Sequence, residues 1–285
     1  MKLVYKDYCD YLANKCQACK GEKRIWSEGI PKACACQYLA TAKWQFEQIS
    51  INPPHLKYKK WSDFTGEIRD KDGKVVTFLE QSYFTKAKQQ AMKYCFGSSD
   101  PKVLKDPSKY SVIQKRLQSG QNIIISGGHQ TGKTLIAALV VKEVLRAAIL
   151  HRISVDFQWV KSADVLYAAT WANAIDPVTG EFGSSIKSID YPKIEEWAST
   201  DFLVIDSIEL RKYGHTGLPD SMILNKLFTE RINKNKPTIL ICSLDFKLAL
   251  KTLSSEHHVK KVWGEVFAEL ASSDDIFVIE LKTDG

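Results

Sequence analysis

Residues Gly127-Gly128-His129-Gln130-Thr131-Gly132-Lys133-Thr134 fit G-x-x-x-x-G-K-[ST] at every fixed position, and nothing else in the chain limits its fold so tightly. Asn122–Ser126 before them reads as a short buried strand, and Leu135 through Ile149 after them as an apolar, alanine-rich helix. Strand, glycine loop and helix in that order make a P-loop. Polyphosphate must be met by backbone N–H groups with no Cβ in the way, which Gly127, Gly128 and Gly132 permit, and the helix N-terminus adds partial positive charge. Lys133 can reach the β- and γ-phosphates of ATP, and the Thr134 hydroxyl is placed to ligate Mg²⁺. Gly127 through Thr134, with His129, Gln130, Thr131 and the following Leu135, form the expected nucleotide-binding set. A glycine-rich turn of this kind could also bind nothing; the Lys133-Thr134 pair and its flanking elements argue for nucleotide.

The 285 residues suffice for one large domain and a small one, and 44% apolar residues can build an ordinary core. No apolar run approaches a membrane span, and Met1–Asp7 lacks the apolar stretch of a secretory signal, so the expectation is a cytoplasmic protein with no membrane partner. The net charge of +7 is held unevenly: residues 1–120 carry 22 Lys/Arg against 12 Asp/Glu, residues 121–285 carry 18 against 21. A basic arm on a near-neutral core suits a phosphate backbone, although lysine-rich surfaces also serve solubility.

Five of the seven cysteines lie between Cys9 and Cys36. Cys16-x-x-Cys19 and Cys34-x-Cys36 can each supply one edge of a thiolate tetrahedron around Zn²⁺, stapling a module too small to fold on core burial alone. Cys9 is a spare thiol able to replace one ligand, and a disulfide framework or idle thiols is the competing reading. Cys95 and Cys242, in apolar surroundings, read as core.

Residues 50–64 read as an extended linker, since Pro53 and Pro54 oppose helix. Its lysines, interleaved with Tyr58 and Trp61, could track a single strand or simply dock on the neighbouring domain. Asp70–Lys74 predicts a turn between short strands, Gln81–Phe96 an amphipathic helix closed by Gly97, and Val112–Leu117 the last helix before the core sheet. Beyond the P-loop helix the pattern alternates. A strand is expected over Val155–Val160, then a helix over Ser162–Ala172 capped by Ser162, a loop or insert over 173–189, and a short helix over Tyr191–Ser199. Phe202-Leu203-Val204-Ile205-Asp206 reads as a Walker B strand delivering Asp206 to the Mg²⁺ shell, although an aspartate there could merely cap the next helix. A helix over Asp220–Asn233 and strands over Thr238–Ser243 and Ile276–Leu281 complete an α/β fold with a five-stranded parallel sheet. Isolated His215, His257 and His258 read as surface residues.

This order of features resembles the DnaC/DnaI-type replicative helicase loaders, an AAA+ branch that also includes IstB-like transposition helper ATPases. The resemblance rests on the C-x2-C…C-x-C module, the Pro-Pro linker running to Trp61-Ser62-Asp63-Phe64, the P-loop, the Val155–Val160 strand, Phe202–Asp206, and Arg231 with Lys236-Pro237-Thr238. It implies a zinc-binding helicase-interaction module over 1–50, a linker and adaptor segment over 51–110 and an AAA+ ATPase domain over 111–285. It further implies a DnaB-type replicative helicase and single-stranded DNA as partners, with self-association, and Lys133, Asp206 and Ser243, the last at the sensor position, as catalytic residues.

Three departures bear on turnover. Ser207 stands where such ATPases carry a second acid to polarise water, and Glu209 would point elsewhere on a regular strand. Ser243 replaces the asparagine usual at the sensor position. No arginine follows Arg231, so the arginine finger expected near Trp263–Leu270 is missing, with Lys260 or Lys261 the nearest cations; Arg231 itself could sense phosphate or pair with a carboxylate. The expectation is an ATP-binding loader with weak or no hydrolysis. An IstB-like helper with a transposase partner and a non-hydrolysing adaptor or inhibitor of a helicase are the alternatives.

Overall fold

The computed structural model describes residues 5–49, 51, 54–70, 72–98, 111–151, 153–175, 182–187, 189–208, 218–219, 221–243, 263, 265–266, 268, 270 and 276–283. The N-terminal module begins with helix α1 (Tyr5–Asn14), then a hairpin of β1 (Arg24–Ser27) and β2 (Ile30–Ala33), then helix α2 (Ala35–Gln48). Ser27 pairs with Ile30, so Glu28 and Gly29 alone make the turn, both at positive φ (54° and 76°), matching the twist of the strands. Its own buried cluster is Ala13, Cys19, Cys34 and Cys36, with Leu12, Cys16 and Ile25 against it. So few apolar groups cannot outweigh the chain's entropy without a further tie.

Residues 54–63 are not extended. Pro54–Tyr58 and Trp61–Asp63 each form a single 3₁₀ turn, because a proline in a first helical turn forfeits only an N–H that has no partner there anyway. This segment lies on the core: Lys142 Nζ donates to the Lys57 carbonyl (3.1 Å) and the Lys59 carbonyl (3.0 Å), and Trp61 packs against the main core cluster. Of the two uses open to Tyr58 and Trp61, the tryptophan takes the docking one, while Tyr58 stays exposed. Strands β3 (Glu67–Arg69) and β4 (Val75–Phe78) follow, joined through a turn in which Asp70 Oδ1 accepts from the backbone N–H groups of Asp72 and Lys74. Helix α3 (Gln81–Phe96) ends at Gly97, and α4 (Ser111–Ser119) leads into the sheet.

The remaining elements are β5 (Asn122–Gly127), α5 (Lys133–Leu150), β6 (Phe157–Lys161), α6 (Ser162–Ala168), β7 (Thr170–Ile175), β8 (Phe182–Lys187), α7 (Tyr191–Ser199), β9 (Phe202–Ile208), β10 (Leu218–Pro219), α8 (Ser221–Asn233), β11 (Thr238–Cys242) and β12 (Ile276–Leu281). Five strands form a wholly parallel sheet in the order β12-β5-β11-β9-β6. Helices cover both faces, which is why the central strands are unbroken apolar runs. One face is filled by α3, α5 and Phe46 of α2; the other by α6, α7, α8 and the helical residues Trp263, Val266 and Leu270.

Three expectations are corrected. The strand expected from Val155 begins at Phe157. The helix from Ser162 stops at Ala168, and Lys161, not Ser162, is its cap. The supposed loop 173–189 holds most of an antiparallel hairpin: β7 and β8 pair with each other, and β10 pairs with β7. Thr170 and Trp171 favour strand, and a hairpin can satisfy its own backbone groups away from the main sheet.

Candidate nucleotide site and metal centre

β5 ends in the glycine loop because two of its glycines stand where a side chain cannot. Gly127 has φ 148°, and a Cβ there would come within 2.3 Å of the Leu281 carbonyl oxygen. Gly132 has φ 88°, and a Cβ would press on the Phe64 ring at 3.1 Å. Phe64 is buried and stacks on Phe84 at 5.0 Å between centroids, so the linker's aromatic backs the start of α5. Between the glycines, Gly128, His129 and Gln130 are exposed, Gln130 has φ 60°, and Thr131 Oγ1 ties the loop to the Gly128 carbonyl at 3.0 Å. Lys133 is buried and its Nζ also donates to the Gly128 carbonyl, holding the ammonium over the loop. Leu135 lies half-buried on the first turn of α5.

Asp206 reaches this loop from two strands away. Thr134 Oγ1 lies 3.5 Å from Asp206 Oδ1, close to the roughly 2.9 Å expected of adjacent ligands in an Mg²⁺ octahedron. Asp206 Oδ2 accepts from Trp159 Nε1 at 3.3 Å and Oδ1 from the Ser207 N–H at 2.7 Å. Burial raises the carboxyl above its ordinary range, against the pull of those two donors and of Lys133. A divalent cation between Thr134 and Asp206 would oppose that shift, so the donor set fits Mg²⁺. Trp159 was not among the expected site residues; only its place on β6, next to β9, reveals it.

Ser207 has φ 61°, in the left-handed region, inside a strand. Its N–H donates to Asp206 Oδ1, its side chain is exposed, and its carbonyl accepts from Ser162 Oγ at 2.6 Å. Pairing with β11 slips at this point, and beyond it Ser243 N donates to the Ile208 carbonyl at 3.1 Å. Ser243 therefore lies past the end of β11, on the edge of the sheet that carries Asp206. Glu209, Lys260, Lys261, Glu269 and the three histidines at 215, 257 and 258 lie outside the described residues. Of the stretch where a finger was expected, Trp263, Val266 and Leu270 are buried, and Glu265 accepts from Asn225 Nδ2 at 3.3 Å.

Arg231 is corrected outright. It is fully buried, with Nε donating to Thr238 Oγ1 (2.8 Å) and the two terminal nitrogens donating to the carbonyls of Trp197 (2.6 Å), Thr200 (2.7 Å) and Pro237 (2.6 Å). These acceptors border the starts of β9 and β11, the edge of the sheet opposite Asp206 and the loop. A guanidinium spent there senses no phosphate and reaches no neighbour.

In the module, the Sγ atoms of Cys16, Cys19, Cys34 and Cys36 all lie within 4.8 Å of one another. The Cys16–Cys34 and Cys19–Cys36 separations are both 3.6 Å, close to the roughly 3.8 Å spanned by two sulfurs bound at tetrahedral angles to one Zn²⁺. Cys9 is buried but outside this cluster. Backbone N–H groups of Cys19 and Ala18 pull the Cys16 thiol down to about 7, whereas burial pushes Cys36 up to about 12 and Cys34 above its usual value. The set fits zinc, whose charge would hold all four as thiolates. A zinc-selective chelator is expected to withdraw about one Zn²⁺ per chain and unfold the module, read by a metal indicator and by far-ultraviolet circular dichroism, while Mg²⁺-nucleotide affinity changes less than about threefold; no metal released from the purified protein would count against a bound zinc.

Among the described residues no helix is long and apolar enough to cross a membrane. No protein-family model and no curated protein matches the sequence. Several solved structures are similar in outline. A crystal structure of DnaI is similar over 79% of this chain and 95% of its own, with 12% identity and a TM-score of 0.43. A proposed primosome component from Streptococcus pyogenes serotype M3 is similar over 86% and 98%, with 12% identity and a TM-score of 0.46. The DnaC helicase loader is similar over 61% and 90%, with 15% identity and a TM-score of 0.37. At such identities and scores the likeness is one of general outline alone.

Proposed function

We propose that the protein is an ATP-binding helicase loader: Gly127–Leu135 hold the nucleotide, Thr134 and Asp206 share its Mg²⁺, and the zinc module grips a DnaB-type replicative helicase. Loading takes place on single-stranded DNA, with self-association of the ATPase domains. The observation that carries the nucleotide half is the 3.5 Å approach of Thr134 to Asp206 across two strands, beside Lys133. Support for the partner comes from the order of cysteine module, Pro-Pro linker and P-loop along the chain.

Ser207 favours a switch over a fast ATPase. With a hydroxyl where a second carboxylate would stand next to Asp206, Ser207 offers no general base for an attacking water. Binding, more than turnover, then selects between conformations. The test is co-purification with a replicative helicase, with and without Mg²⁺-ATP. Nucleotide-dependent association, lost on zinc removal, is the expected result; duplex-DNA filaments without helicase binding would instead indicate a transposition helper. ATP turnover with helicase and single-stranded DNA present is expected below about 1 s⁻¹, the low end of ordinary enzyme turnover; a rate of tens per second would remove the switch reading.

A further inference from the structure

Beside the glycine loop, on the side away from Asp206, a cavity of about 310 Å³ opens between the ends of β5 and β12. Ser126, Gly127 and Gly128 form one wall, and Glu280, Lys282 and Thr283 much of the other. Ser126 is fully buried, and its hydroxyl makes no hydrogen bond among the described residues. An orphaned buried hydroxyl costs roughly 1–3 kcal/mol unless something else meets it. Ser126 and Glu280 are register partners in the parallel pair, so their side chains leave the same face of the sheet from strands about 4.8 Å apart. The half-buried Glu280 carboxylate likewise has no hydrogen bond or ion pair among the described residues. The cavity's far end is fixed, because Leu79 bridges Thr283 and the Glu80 N–H donates to the Lys282 carbonyl at 2.9 Å.

Direction follows from strand order. Asp206 is on β9, two strands to one side of β5, while β12 is the next strand on the other side. A polyphosphate with its metal-bound end at Thr134 and Asp206 must cross the loop and leave toward β12, bringing the nucleoside to the cavity. An ionised carboxylate only accepts hydrogen bonds, and a serine hydroxyl can donate or accept. The group on a nucleoside nearest its phosphates that offers two adjacent donors is the 2′,3′-diol of ribose, which acidic residues at strand ends bind in other nucleotide folds.

We propose that this cavity is a ribose subsite in which Glu280 accepts from the sugar hydroxyls and Ser126 completes the pair, making the protein selective for ribonucleotides over deoxyribonucleotides. The subsite rests on the nucleotide reading given above. The test is calorimetric titration of the full-length protein, in constant Mg²⁺, with ADP, 2′-deoxy-ADP, 3′-deoxy-ADP and inorganic tripolyphosphate. Each deoxynucleotide is expected to bind about tenfold more weakly than ADP, the loss of one hydrogen bond to a charged group. Glu280→Gln is expected to reduce that preference below about threefold while leaving tripolyphosphate affinity unchanged. Equal affinity for ADP and both deoxy forms, or a preference that survives in Glu280→Gln, overturns the ribose subsite and leaves the nucleotide site standing. If neither tripolyphosphate nor ADP binds, the nucleotide reading falls and the subsite with it.

Discussion

Arg231→Met is expected to lower the melting temperature by about 10 °C while leaving Mg²⁺-ATP affinity of the folded protein within about twofold of wild type. The methionine fills much of the space but strips a donor from three carbonyls and the Thr238 hydroxyl, in a site that excludes water. Removing one partner of a buried charged network costs roughly 3–5 kcal/mol, and in a domain of this size each kcal/mol moves the midpoint by about 2–4 °C. The carbonyls belong to the stretch from the end of α7 to the approach to β9 and to the turn before β11, so one side chain fastens the 197–200 stretch to the end of its own helix and the turn that follows it. Burial works against the guanidinium's charge and lowers its pKa, with Asp201 opposing. Thermal unfolding and calorimetry together decide the matter. A variant that melts normally but fails to bind or respond to nucleotide would restore Arg231 as a phosphate sensor.

Lys133→Ala is expected to have the opposite profile, weakening Mg²⁺-ATP binding by about a hundredfold or more with a melting temperature within about 2 °C of wild type. The lysine Nζ donates to the Gly128 carbonyl within its own loop, a bond that ties no distant segments of the fold together. Against polyphosphate it would make two or more charge-assisted bonds, each worth roughly 1.5–3 kcal/mol, and every 1.4 kcal/mol is a factor of ten in affinity. A loss of less than about threefold would mean that the phosphates lie elsewhere.

The parts of the fold that sequence made legible are those where one physical requirement dominates. Ile123, Ile124 and Ile125, Phe202 through Ile205, and Ile239 through Ile241 are buried from both sides, so their runs could only be central parallel strands. The four clustered thiols were legible for a similar reason, since spacing alone brings each close pair onto one edge of a tetrahedron.

What sequence hid depends on segments meeting in space. Arg231 near the end of its helix reads as a phosphate sensor or a partner for a carboxylate; only the arrival of Trp197, Thr200 and Pro237 makes it a core residue. The left-handed Ser207 belongs to a slip between β9 and β11 that no local pattern marks. Trp159 and Phe64 read as ordinary aromatics until β6 and the linker bring them to Asp206 and Gly132. The β7 and β8 hairpin was obscured because Asp176-Pro177 and Gly180 suggested a loop over the whole of 173–189.

The central claim is a nucleotide whose metal is shared by Thr134 and Asp206, and calorimetric titration of ATP into the wild-type protein and Asp206→Asn, each with and without added Mg²⁺, tests it most directly. The account predicts one site per chain, with wild-type affinity at least about tenfold higher when Mg²⁺ is present and most of that gain lost in Asp206→Asn. No heat in any titration, or a Mg²⁺ gain as large in Asp206→Asn as in the wild type, would contradict it.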